Sequence, residues 1–189
     1  MNLSQLTTTQ IGIAVAVLLM LAAGVAILFS IRKRRTERLR TQFGGSEYTR
    51  AVKEGGNQRK AEAVLDQRAE RVDRLHIRPL ATADRARFVE TWGRVQAHFV
   101  DGPGGAVAEA DQLLNDVMST RGYPMSDFEQ RVADISVDHP LVLDNYRAAH
   151  QTALRQSRGE ARTEDLRQAM IHYRTLFEEL VNEPEAARP

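Results

Sequence analysis

The densest set of side chains able to do chemistry lies in DFEQRVADISVDHP, Asp127 to Pro140. Asp134, Asp138 and His139 fall within six positions, and His150 follows eleven residues after His139. Carboxylates and imidazoles bind divalent metals and serve as acid–base pairs. The spacing here matches no known ligand pattern, and helix architecture explains most of it. Asp138 and His139 stand where a helix starts, and Asp127 stands in a first turn, where negative charge is favoured. His150 projects from the apolar face marked by Val142 and Tyr146, a usual place for a hydrogen-bonded core histidine. The group Asp134, Asp138, His139 and His150 is a minor candidate site, and neither a metal nor a cofactor is expected.

Other chemical signatures are missing from the sequence. There is no phosphate loop, dinucleotide fingerprint, HExxH or serine nucleophile elbow. Gly102-Pro103-Gly104-Gly105 has no preceding strand and no following Lys-Ser/Thr, so it reads as a helix connection. The chain has no cysteine, which excludes disulfides, thiolate metal sites and a cysteine nucleophile. Trp92, Tyr123, Tyr146, Tyr173 and Phe177 could line a pocket, but aromatics at helical spacing belong to a core more often than to a ligand. No catalytic residue is assigned, and an enzyme is not expected.

The elements that would position these groups are all helical. Thr82 can cap a helix with Phe88, Trp92, Val95 and Phe99 on one stripe. Pro103 opens a second helix, with Val107, Ala110, Leu114 and Val117, which stops at Gly122. Ser126-Asp127-Phe128-Glu129 matches a capping box. A fourth helix starts at Asp138-His139-Pro140. Thr163 can cap the last, where Leu166, Ala169, Met170, Tyr173, Phe177 and Leu180 form the clearest amphipathic stripe. No segment alternates as a strand does.

The N-terminal part differs in kind. Residues 11–31 carry no charge and would span about 32 Å as a helix, enough for a bilayer core of about 30 Å. Charges follow this run and do not precede it, and no small-residue cleavage site closes it, so it reads as a permanent anchor and not an export signal. Arg32, Lys33, Arg34, Arg35, Arg38 and Arg40 come next, against Glu37 alone. Such a cluster marks the cytoplasmic side and can attract anionic headgroups. The remaining residues, 41–189, hold 20 basic and 24 acidic side chains, a balance that argues against nucleic-acid binding. Phe43-Gly44-Gly45 breaks the anchor helix, and Ser46 can cap the short helix SEYTRAVKE. Asn57 to Leu75 is helical but thinly apolar, and reads as a stalk that is mostly solvated or pairs weakly with another helix.

The string RGYPMSDFEQRVADISVDHP, with YRAAH, GEARTEDLRQAM and HYRTLFEEL, resembles an uncharacterised family of bacterial proteins of unknown function. FGGSEYTRAV and HIRPL are similar to the same family's stalk region, so the resemblance covers most of residues 41–181. It implies a bacterial cytoplasmic-membrane protein and carries no activity or site residues.

The sequence thus predicts an all-α protein. Residues 1–10 form a short extracytoplasmic end, 11–31 a transmembrane helix, and 32–79 a basic juxtamembrane segment and polar helical stalk. Residues 80–181 form an all-α cytoplasmic domain, and 182–189 a flexible tail. The expected role is a membrane-tethered interaction or scaffold module. Its expected partners are the lipid bilayer, anionic headgroups and another membrane protein. The alternative is a small membrane-bound enzyme or sensor using the Asp/His group.

Overall fold

The computed structural model describes residues 3–182. Met1, Asn2 and residues 183–189, which include most of the expected flexible tail, lie outside them. Among the described residues there are eight α-helices and no strand, so the protein is all-α as its periodicity predicts.

Helix α1, Leu3–Gln42, runs unbroken through the apolar segment and the basic cluster. It is the one helix among the described residues long and apolar enough to cross a membrane. The chain divides into two compact units between Thr41 and Gln42. The second unit begins with two helices, α2 (Gly44–Gly55) and α3 (Gln58–Asp73), which pack on each other. Gly56 turns the chain between them at φ +71°, a conformation that glycine adopts without a side-chain penalty. Ser46 is not the cap expected for α2: the helix starts two residues earlier, after Phe43, with no side-chain cap. Asn57 does cap α3, its side chain accepting from the Lys60 amide at 2.9 Å.

This unit starts earlier than the sequence predicts. Residues 42–79 belong with the bundle, not to a separate stalk. The physical reason lies in α3. Four of its six apolar residues, Ala61, Leu65, Ala69 and Val72, are buried, and Ala63 and Val64 are exposed. Two of its charged residues are tied up in ion pairs: Arg68 binds Glu47 and Arg71 binds Asp134, each at 2.9 Å. Composition counted these arginines as solvated, whereas pairing lets a polar helix pack.

The bundle proper comprises α4 (Thr82–Asp101), α5 (Pro103–Arg121), α6 (Phe128–Ile135), α7 (Leu143–Gln156) and α8 (Thr163–Asn182). A 3-10 turn, Pro140–Val142, precedes α7. Helix α8 packs along both α5 and α7, and α4 packs along α5. The core is continuous from Leu80 to Val181. Trp92 on α4 stacks on Phe177 of α8 with ring centroids 4.9 Å apart. Three cap assignments shift by a residue. Thr163, expected to cap α8, is its first residue. Ala81 precedes α4 without a side-chain cap, so Thr82 is its first residue. Asp127, not Ser126, caps α6, accepting from the Gln130 amide at 2.9 Å.

Gly122 ends α5 in the left-handed region, at φ +97°. A Cβ there would lie 2.6 Å from the carbonyl oxygen of His76, so the 76–78 segment can lie against the end of α5 only because position 122 has no side chain. The Arg78 amide donates to the Arg121 carbonyl at 2.8 Å and completes that join.

Candidate functional site

The structure does not gather Asp134, Asp138, His139 and His150 into one site. It gives each its own neighbours. Asp134, on α6, is almost fully buried and accepts from Arg71 Nε at 2.9 Å and Gln130 Nε2 at 2.8 Å. It joins α3 to α6. Asp138 accepts from the Tyr123 hydroxyl at 3.3 Å.

His139 is 3% exposed, just before the 3-10 turn. Its Nδ1 lies 3.1 Å from Glu179 Oε1, and Arg121 Nη1 lies 3.5 Å from its Nε2. Burial pushes the imidazole below its ordinary pKa, and the Arg121 charge adds to this. The Glu179 carboxylate opposes the shift without cancelling it. His139 is therefore neutral at pH 7. Arg121, itself 2% exposed, also donates to the Leu180 carbonyl at 3.0 Å, near the C-terminal end of α8. That end of a helix carries unpaired carbonyls and partial negative charge, so a buried guanidinium suits it.

His150 belongs to a different cluster. Its ring stacks on Phe128, with centroids 3.7 Å apart, and its Nδ1 lies 3.6 Å from Asp111 Oδ1. The same Asp111 oxygen accepts from the Tyr173 hydroxyl at 2.8 Å. Arg131 Nε donates to the Tyr146 hydroxyl at 3.4 Å. Burial alone would raise the Asp111 pKa, but the His150 and Tyr173 contacts outweigh it and the net shift is downward. Burial and the Asp111 charge push Tyr173 far upward. At neutral pH Asp111 is thus ionised and Tyr173 is a firm donor. Both shifts move the groups away from neutral pH, which suits a fixed structural hydrogen bond among α5, α6, α7 and α8 and not proton transfer.

Glu47 forms a third cluster, and no sequence signal singled it out. It is 3% exposed, with Arg68 Nη1 2.9 Å from Oε1 and Arg147 Nη1 2.9 Å from Oε2. Burial raises its pKa, but the two arginines more than offset that and hold it below the ordinary value. It ties α2 to α3 and to α7. The partners that sequence inspection missed, Glu47, Arg71, Asp111, Arg121 and Glu179, lie between 40 and 100 positions from at least one group they contact. No local spacing could have signalled them.

Among the described residues no group of three or more His, Cys, Asp or Glu side chains is placed to hold a metal ion. The aromatics considered as pocket lining, Trp92, Tyr123, Tyr146, Tyr173 and Phe177, are all buried in the core. The basic residues Arg32, Lys33, Arg34, Arg35, Arg38 and Arg40 are exposed and all lie on α1, directly after the apolar run. No protein-family model, curated protein or solved structure matches the chain.

Proposed function

We propose that this chain is a single-pass protein of a bacterial cytoplasmic membrane. Its N-terminus lies outside, and its helical unit acts in the cytoplasm as a tethered interaction or scaffold module. One observation carries the proposal. A single helix combines an exposed apolar stretch long enough to cross a bilayer with six cations immediately after it. A helix apolar on all sides is stable in lipid and not in water. Cations at one end keep that end on the cytoplasmic side and draw anionic headgroups to it.

The buried polar groups support a scaffolding role. Asp134, His139 and Glu47 each join two or more helical elements. A tether raises the local concentration of such a unit near membrane partners without any new contact. The proposed partner is another membrane protein, met from the cytoplasmic side.

Complementation of a deletion strain tests this. An unrelated N-out anchor joined to residues 32–189 should rescue, and soluble 41–189 at equal abundance should not. Equal rescue by the soluble form would contradict the tether and direct attention to the Asp111–His150 pair.

A further inference from the structure

The α2–α3 pair is built as a unit within the larger one. The Tyr48 hydroxyl, on α2, donates to Glu62 Oε1 of α3 at 2.9 Å, and Gln58 donates to the same oxygen at 2.8 Å. Tyr48, Ala51, Ala61 and Leu65 are buried. None of these residues belongs to the apolar core of the bundle, which runs from Leu80 to Val181.

The pair meets the bundle along a seam in which charge is prominent. Glu47 reaches Arg147 of α7, and Arg71 reaches Asp134 of α6, each at 2.9 Å. Both carboxylates are nearly fully buried. Between α3 and α6 the seam also holds a cleft of about 400 Å3, lined among others by Val64, Gln67, Arg71, Gln130 and Ala133.

We infer that α2–α3 is a latch, which releases from the bundle as an intact helical pair while the bundle stays folded. The attraction within a buried ion pair is largely cancelled by the cost of removing both charges from water. Exchanging such a pair for water therefore costs little, whereas separating apolar surfaces costs in proportion to their area. A segment joined to its neighbour through ion pairs and an open cleft is the cooperative unit that opens first. Removing one partner leaves a buried charge uncompensated, which favours release further.

The hinge is also placed. The chain is fixed to the bundle at His76–Arg78, by the Arg78 amide and the close approach at Gly122. Helix α3 ends at Asp73, so Arg74 and Leu75 are the residues that turn. In the released state Arg71 loses Asp134 and Arg147 loses Glu47 and keeps Asp144 of its own helix at 3.7 Å, and an acidic partner segment can hold the latch open by replacing the lost carboxylates. The freed pair, still packed helix on helix, presents its 12- and 16-residue helices to such a partner. That consequence rests on the tether proposed above, but the release itself does not.

Hydrogen–deuterium exchange on the full chain in lipid nanodiscs tests the latch. Amides of α2 and α3 should exchange at least about tenfold faster than those of α5 and α8. The double variant Glu47→Gln, Asp134→Asn should speed α2 and α3 about tenfold further and leave α5 and α8 within about twofold. Arg71→Gln changes a half-exposed residue, so it serves if the double variant fails to fold. It should act in the same direction with a smaller effect. Hairpin amides exchanging at the rate of α5 and α8, or a uniform speed-up along the chain in Arg71→Gln, would overturn the latch. Either result would leave the tether to be decided by the rescue experiment.

Discussion

His139 shows how one buried side chain sets a pH limit on the whole fold. Its pKa is depressed in the folded state and returns to about 6.5 on unfolding. The unfolded chain therefore binds the proton more readily. The stability linked to neutral His139 is fully present above about pH 6.5, and it is lost as pH falls from there to the depressed folded value. Urea unfolding of the full chain in detergent should show stability falling across that window, by up to about 1.4 kcal/mol per pH unit. His139→Asn should flatten this slope while lowering stability at pH 7.5. An unchanged slope in the variant would mean that another group binds the proton. Glu47 works at lower pH with the same sign. Its folded pKa is depressed, so its contribution is present above its ordinary value of 4.5 and lost as pH falls below it. His139 itself was legible as a candidate residue from sequence. Its role was not, because Arg121 and Glu179 reach it from distant helices.

At the scale of elements, the join between the α2–α3 segment and the bundle depends on one glycine. Gly122→Ala forces a side chain into the left-handed region and onto the His76 carbonyl. The conformational term alone is about 1–2 kcal/mol, and the contact at 2.6 Å adds to it. A loss of about 2 kcal/mol or more is expected in the same urea assay. A neutral substitution would mean that the 76–78 segment is not held against α5. The helices from α4 to α8 were readable in the sequence because each carries a stripe of period 3.6 between clear stops, as α8 does from Leu166 to Leu180. Cap positions were less readable. Ser126 and Asp127 are both good caps, and only backbone geometry selects Asp127. Packing of α3 was not readable at all, since Arg68 and Arg71 in a sequence look alike whether they are solvated or paired with a buried carboxylate.

At the scale of the whole molecule, the proposed function turns on the anchor and its direction. The apolar run and its cations are visible in the sequence. A helix continuous from Leu3 to Gln42 fits them to a single crossing. The absence of cysteine makes a direct measurement possible, since any introduced thiol is the only one. Ser4→Cys and Thr163→Cys mark the two sides. Treated with a membrane-impermeant maleimide, intact cells should label Ser4→Cys, and Thr163→Cys should label only after lysis. Labelling of Thr163→Cys in intact cells, with Ser4→Cys protected until lysis, would contradict the account.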